Sequence, residues 1–287
     1  MPPVNPIYVP KGRAREYSPY ALNLYLNCAH RCFYCYAQKL MGVSFFCDRP
    51  KPRWRIIEEL TKQLENLDRA GTPITEQVML SFIGDVYGPS EDNNRVTSEA
   101  LKVLDRYDVP TAILTKNPDR IICDIDNIFG KGPYDIDIIR RMKHIAVGTT
   151  LTVWNEDLAK KFEPNAPSPD LREGCLRQIQ DECPNVRTFI SIEPILDQIE
   201  ATYIIRKLSD DPHCNHTFKL GKLNGPLERS FPIDYELYLT RAIHNLRRGN
   251  KKFYVKVDLA KAAPHISKEL TADERNADLH TVKRTVI

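Results

Sequence analysis

No apolar stretch in this 287-residue chain is long enough to span a bilayer as a helix, so no membrane partner is expected. The opening Met1-Pro2-Pro3-Val4-Asn5-Pro6 lacks the apolar core of a secretory signal, which makes the cytoplasm the expected location. Low-complexity segments and internal repeats are lacking too. So is an excess of charge of one sign: 41 Lys+Arg stand against 38 Asp+Glu, and a net charge of +3 neither demands nor excludes nucleic acid. Eight cysteines in a chain this long do not require a disulfide framework. The remainder is ordinary for a globular protein, with 42% hydrophobic and 28% charged residues, enough for a large core in one or two domains.

Among the cysteines, Cys28, Cys32 and Cys35 stand apart, in the run Asn27-Cys28-Ala29-His30-Arg31-Cys32-Phe33-Tyr34-Cys35-Tyr36. Thiolates are soft ligands for iron–sulfur clusters, usually four per cluster. Three close thiolates without a fourth leave one iron of a 4Fe–4S cluster open to a small molecule. A zinc site made of these cysteines and His30 is an alternative, but zinc usually takes two ligand pairs separated by a longer loop, and no second pair is present. Three packed free thiols are another. The local, aromatic-rich grouping favours the cluster. Cys47, Cys123, Cys175, Cys183 and Cys214 are scattered and read as packing residues.

Apolar patterning predicts strands at Tyr20–Leu26, Gln77–Ile83, Pro110–Thr115, Ile145–Val153, Val186–Ile192 and Thr217–Leu220. Helical stripes fall between them: Ile56, Ile57, Leu60, Leu64 and Leu67, stopped by Gly71; Val96, Ala100, Val103, Leu104 and Tyr107; a region around Ile121, Ile122 and Ile125; Asp170–Glu182; and Asp234–Leu246. The expected fold class is α/β, a partial (β/α)6 barrel with parallel strands plus a C-terminal extension. Its expected parts are an N-terminal extension over 1–19, the barrel over 20–250, and an extension over 251–287 that carries a strand-like Phe253–Val257 and covers one end of the barrel. The cysteine loop follows the first strand, on the rim where parallel α/β folds collect function.

The run from Cys28 to Ala37 resembles the cluster signature of radical S-adenosylmethionine proteins, in particular the spore photoproduct lyase-like, or "DNA repair photolyase", branch. Gly84-Asp85-Val86-Tyr87-Gly88-Pro89, Thr115-Lys116-Asn117 and the block Leu158-Ala159, Glu163-Pro164, Ala166-Pro167-Ser168-Pro169 and Arg172 are similar to later elements of that branch. The likeness runs from about Tyr20 to about Pro194. It implies an enzyme in which Cys28, Cys32 and Cys35 ligate a 4Fe–4S cluster whose open iron chelates S-adenosylmethionine, and in which a 5′-deoxyadenosyl radical abstracts hydrogen from a substrate. It further implies that Tyr34 lies near the adenine, that Asp85 beside Gly84 meets the methionyl amino group, and that Lys116, Thr150 and Arg172 meet carboxylate or ribose. An electron donor such as flavodoxin or ferredoxin is implied as a partner.

Read singly, Gly84-Asp85 is equally a turn, Lys116 a surface cation and Thr150 a strand former. Tyr87, Glu163 and Glu193 are the substrate-side candidates, Glu193 with a Glu-Pro turn as its plain alternative. The branch's hydrogen-donating cysteine is missing from Leu80–Tyr87, so thymine-dimer reversal by that route is not expected. Three readings stay open. They are a radical enzyme on a nucleobase or nucleic acid, one on a peptide or small metabolite, and a non-catalytic zinc or cluster module that docks nucleic acid. The basic runs Lys11, Arg13, Arg15 and Arg247, Arg248, Lys251, Lys252, Lys256 are candidate phosphate contacts, or solvated surface.

Overall fold

The computed structural model describes residues 5–42, 45–90, 94–122 and 135–285. Strand alternation builds it. Val78 and Leu80, Ile113, Ile145 and Val147, Ile190 and Ile192, Phe218 and Leu220, and Phe253 and Val255 all join one large apolar core between strands and helices. The residues between them, Met79, Ala112, Ala146 and Phe189, form a second, smaller cluster on the opposite face. A period of two therefore separates an outer face packed on helices from an inner face that lines the barrel.

The strands are β1 (Ile7–Tyr8), β2 (Tyr20–Leu22), β3 (Val78–Leu80), β4 (Thr111–Thr115), β5 (Ile145–Thr150), β6 (Arg187–Ile195), β7 (Thr217–Lys222) and β8 (Phe253–Val255). They lie side by side in that order, β1 antiparallel to β2 and every later pair parallel. The sheet curves as a partial barrel and does not close. The main helices are α1 (Tyr36–Met41), α2 (Ile56–Arg69), α3 (Val96–Arg106), α4 (Asp119–Ile122), α5 (Asp135–Arg141), α6 (Glu156–Phe162), α7 (Pro169–Glu182), α8 (Gln198–Ser209) and α9 (Tyr235–Arg248). Side-chain caps fix several starts: Asn155 accepts from Asp157 and Leu158 N–H, Ser168 from Leu171, Asp197 from Ile199 and Glu200, and Asp234 from Leu237. Ile125 and Cys123 lie outside the described residues.

Two differences from the sequence reading concern the ends. The N-terminal segment contributes the antiparallel edge strand β1, and Phe253–Val255 is a parallel strand of the same sheet rather than an appended cover. Its pattern explains this, since Phe253 and Val255 bury outward and Tyr254 inward. The cover is the tail beyond it. Gln77, at the start of β3, donates to Tyr17 O (3.0 Å) and accepts from Val282 N–H (3.1 Å), which sets Tyr17 and Val282 against the inner cluster. Glu16 Oε2 accepts from Tyr254 OH (3.0 Å) and Val257 N–H (2.9 Å), joining the N-terminal segment to β8.

Inner residues mix small side chains, Ala112 and Ala146, with large ones, Met79 and Phe189. Where one is large, its neighbour gives way: Gly148 lies in register with Phe189, and a Cβ at Gly148 would collide with that ring.

Just before β7, His216 is buried with Nδ1 2.7 Å from Thr188 Oγ1. Burial, then the charges of Arg177 and Lys251, push its pKa from 6.5 down to about 3. The folded protein holds this histidine neutral, while the unfolded chain protonates it. Its contribution is therefore complete above pH 6.5 and is lost as pH falls toward about 3. The expected loss is about 1.4 kcal/mol per pH unit across that window. Urea midpoints measured from pH 7 to pH 4.5 check this, and His216→Gln should flatten the slope.

Candidate functional site

The loop after β2 carries Cys28, Cys32 and Cys35, and Cys35 caps the start of α1. Backbone bonds hold the loop in shape. Cys28 N–H donates to Phe45 O (3.2 Å), Cys47 N–H to Cys28 O (3.0 Å), Cys35 N–H to Cys32 O (3.1 Å) and Phe33 N–H to Phe162 O (2.8 Å). Asn165 Nδ2 donates to Ala29 O at 2.8 Å. Cys28 and Cys32 are buried, Cys35 is half-buried, and all three are free. Burial first, and then for Cys28 the Asp85 charge, pushes the thiols up, Cys28 to about 12 and Cys32 to about 11. Such thiols stay protonated at neutral pH unless a metal takes the proton's place.

Among the described residues no three His, Cys, Asp or Glu side chains already surround a metal position. The donor set nevertheless fits an iron–sulfur cluster: three thiols on one loop, close enough to influence one another, with cations behind them. It does not fit zinc held by His30. That ring is buried with Nε2 2.9 Å from Asp85 Oδ2 and Nδ1 3.2 Å from Asn165 O, so both nitrogens are already engaged. Cys47, scattered in sequence, comes alongside Cys28 through the backbone, with its thiol directed to Arg49 O at 3.3 Å.

Asp85 is where the loop meets the sheet. Oδ1 accepts from Thr115 Oγ1 (2.6 Å) and Tyr87 N–H (2.9 Å); Oδ2 faces His30 Nε2 (2.9 Å) and accepts from Lys116 N–H (2.8 Å). A carboxylate has about four lone-pair directions, and all are used. Burial alone would raise its pKa; the His30 contact, with the Lys116 and Thr115 donors, reverses this and holds the carboxyl well below its usual range. The residue expected to receive the methionyl ammonium thus has its acceptor directions filled from within the chain, and through His30 it positions the cysteine loop. Gly84 makes the approach possible, because its φ is +83° and a Cβ would lie 2.9 Å from Asn27 O. Asn23, a residue the sequence did not single out, holds the same turn by accepting from Phe82 and Ile83 N–H, both at 3.0 Å.

Glu163, a substrate-side candidate, is fully buried. Arg172 Nη2 lies 2.7 Å from its Oε2, in contact though outside hydrogen-bond angles; Lys116 Nζ is 3.6 Å from Oε1; Thr152 Oγ1 donates at 3.2 Å, and Tyr34 OH donates as well. Burial opposes its ionisation, but the Lys116 and Arg172 charges outweigh it and lower the pKa. Arg172 also donates to Thr150 O at 2.7 Å, and Lys116 lies over the Tyr34 ring. The structure therefore brings Cys32, Tyr34, Lys116, Thr150, Glu163 and Arg172 together, with two cations on one carboxylate. Tyr87 does not join them: it packs in the outer core and donates to Asp135 Oδ2 at 3.0 Å.

Glu193 faces the barrel interior, where Lys256 Nζ donates to its Oε1 at 2.8 Å. Four members of the second basic run have partners within the chain. Arg247 pairs with Glu274 (2.7 Å), Arg248 with Asp210, Lys256 with Glu193, and Lys251 donates to Asp211 O (2.8 Å) and Cys214 O (2.6 Å). Arg247, Arg248 and Lys252 are its exposed members.

No protein-family model matches the chain. An uncharacterized protein of Methanocaldococcus jannaschii is 26% identical over 244 residues, covering 82% of this chain and 83% of that protein. A spore photoproduct lyase complexed with dinucleoside spore photoproduct superposes with a TM-score of 0.62 at 14% identity, over 86% of this chain and 79% of the lyase. Streptococcus suis SuiB, bound to S-adenosylmethionine, gives 0.56 at 11% over 88% of this chain and 51% of SuiB. A radical S-adenosylmethionine methyltransferase from Sphaerobacter thermophilus gives 0.53 at 15%, over 82% and 65% of the two chains. The chain has the partial-barrel fold of the radical S-adenosylmethionine enzymes, in the form seen in spore photoproduct lyase.

Two substitutions test the site. Glu163→Gln leaves two buried cations without their carboxylate and should lower stability by about 3–5 kcal/mol, read from urea midpoints. Asp85→Asn turns one acceptor toward donors as an NH2 group. It should cost roughly 2 kcal/mol and raise amide exchange between Cys28 and Cys35.

Proposed function

We propose that this protein is a radical S-adenosylmethionine enzyme acting on a compact polar substrate held inside the barrel. The observation that carries the reading is the set of three free thiols on one loop at the C-terminal end of β2, backed by Lys116 and Arg172. When bound there, a 4Fe–4S cluster and S-adenosylmethionine supply a 5′-deoxyadenosyl radical that abstracts hydrogen. Cys28, Cys32 and Cys35 are the ligands. Three thiolates bring negative charge into a buried site, and the excess cation of the Lys116–Arg172–Glu163 group balances part of it. Lys116 is the more accessible cation and suits the methionyl carboxylate; Arg172, fully buried and tied to Glu163 and Thr150 O, sets charge and shape. Tyr34 offers a ring face for adenine. Cys35, the most exposed of the three, sits beside exposed Phe33 and Tyr36, the face assigned to a flavodoxin- or ferredoxin-type electron donor.

For the substrate, the interior supports a small molecule or peptide side chain: Ser191, Glu193, Lys219 and Lys256 line it. A second reading, a nucleic-acid or nucleotide substrate, draws on the likeness to a lyase whose structure holds a dinucleoside. No helix among the described residues is long and apolar enough to cross a membrane.

Anaerobic reconstitution tests the class. Wild type should bind close to four irons, show charge-transfer absorption near 400 nm as 4Fe–4S proteins do, and cleave S-adenosylmethionine when reduced, figures on the order of those for one cluster per chain. Cys32→Ala should lose the absorption and the cleavage, and Cys183→Ala should keep both. Full iron content and cleavage in Cys32→Ala would refute the assignment.

A further inference from the structure

One row of residues crosses the inner face of the barrel: Thr150 on β5, Ser191 on β6, Lys219 on β7 and Tyr254 on β8 are successive register partners. Lys219 is the anomaly in it. Phe218 and Leu220 on either side bury outward, so the ammonium points inward, and the residue is only 4% exposed. Buried ammonium groups are ordinarily paired, because an unpaired one forfeits its hydration. Lys219 has no acceptor among the described residues. Its Nζ lies 4.3 Å from the Phe189 ring centroid and 5.0 Å from that of Tyr17, whose other cation is Lys256 at 4.8 Å. Ring faces offer a cation partial relief.

The nearby carboxylate is spoken for. Glu193 reaches across β7 to Lys256, and it does so because residue 221 is glycine: a Cβ there would lie 2.6 Å from the Glu193 carboxyl carbon. Lys256 thus holds that carboxylate, and the charge Lys219 carries when protonated has no counter-charge in contact among the described residues. Hydroxyl groups stand next to that charge. Ser191 Oγ and Tyr17 OH are 2.6 Å apart, and Thr150 follows in the row. An ammonium without an acceptor, beside hydroxyls and a second cation, matches a carboxylate or phosphate oxyanion.

We propose that Lys219 anchors an oxyanion of the substrate, so that the barrel selects molecules carrying a carboxylate or phosphate group. In calling that molecule the substrate, the inference rests on the radical-enzyme reading; the anion site itself does not. The electrostatics agree. Burial, then the Lys256 charge, lowers the Lys219 pKa from 10.5 to about 7, and an arriving anion would restore it. The other ionisable groups around it are Glu193 on β6, Tyr254 and Lys256 on β8, Tyr17, Glu16 and Asp258 near the N-terminal seam, and His280 on the tail, whose own pKa Lys219 helps to lower.

The test is calorimetry at pH 8 on the cluster-free chain, with inorganic phosphate and, separately, acetate, each in two buffers of different ionisation enthalpy. Acetate has no proton to exchange at that pH, so proton uptake on its binding reports the protein amine. Wild type should bind at least one of the two with proton uptake. Lys219→Met should weaken binding tenfold or more and abolish the uptake; Lys219→Arg should bind without uptake. Lys219→Met should also unfold at the same or a higher temperature, since it removes an unpaired buried amine. The proposal is overturned if wild type binds neither anion, if Lys219→Met binds as wild type does, or if Lys219→Met unfolds at a markedly lower temperature. It is overturned as well if S-adenosylmethionine displaces the anion, which would make the site the cofactor's. Loss of cofactor cleavage in Cys32→Ala is read independently, so either reading can fail while the other stands.

Discussion

Asp85 has as many donors as its carboxylate has lone pairs, and the site depends on that equality. Two donors are backbone N–H groups in the loops that follow β3 and β4, one is the Thr115 hydroxyl, and one is His30 from the cysteine loop. A loop rich in thiols has little apolar surface with which to hold itself against a sheet. A buried charge with four partners does this instead, and the low dielectric around it strengthens each contact. The cysteines sit where they do because His30 is held there, and His30 is held because the strand ends present Asp85.

Behind the loop the molecule keeps a second buried charge group with the opposite bias. Glu163 is surrounded by Lys116, Arg172, Tyr34 and Thr152, and the group carries a net positive charge. Burying such a group is costly unless it is paired or a counter-charge arrives. Cys32 stands nearest, and burial pushes its thiol and that of Cys28 up, so without a metal these two do not supply it. Cation excess and protonated thiols are complementary, each relieved by a metal that takes the thiol protons and leaves negative sulfur.

The cysteine loop was legible in the sequence because its chemistry is local: three thiols within eight positions need no fold to be noticed. The central strands were legible for a similar reason, as short apolar runs between helical stripes. Partnership was not legible. Glu163 and Arg172 were both chosen, but nothing in their spacing says that they pair with each other rather than meet a ligand. The resemblance gave Asp85 to an ammonium, while its partners within the chain could not be read, since two of them are backbone groups, which leave no mark on a sequence. Tyr87 follows Asp85 closely in the chain yet turns into the outer core to reach Asp135. Lys219 lay within a strand already identified, and the alternation Phe218-Lys219-Leu220 placed it inward; a lysine at an inner position was the available signal. The partners of the basic run at 247–256 were not legible either, because charge counts cannot see that Glu274, Asp210 and Glu193 come from elsewhere to meet it.

The seam between β8 and the N-terminal segment has a consequence for how the interior is sealed. A sheet that stops at eight strands leaves a gap between its edges, and here the gap is laced by residues from the first twenty positions: Glu16 bonded to Tyr254 and Val257, Arg13 beside Asp258, Tyr17 bonded to Ser191. These are polar, reversible contacts of a few atoms each, not a packed apolar joint. The barrel wall is therefore uneven in strength, strong through its central parallel strands and weak along one vertical line. Water, or a molecule too large for the rim, would meet least resistance there, one strand away from Lys219, whose register partner is the seam residue Tyr254.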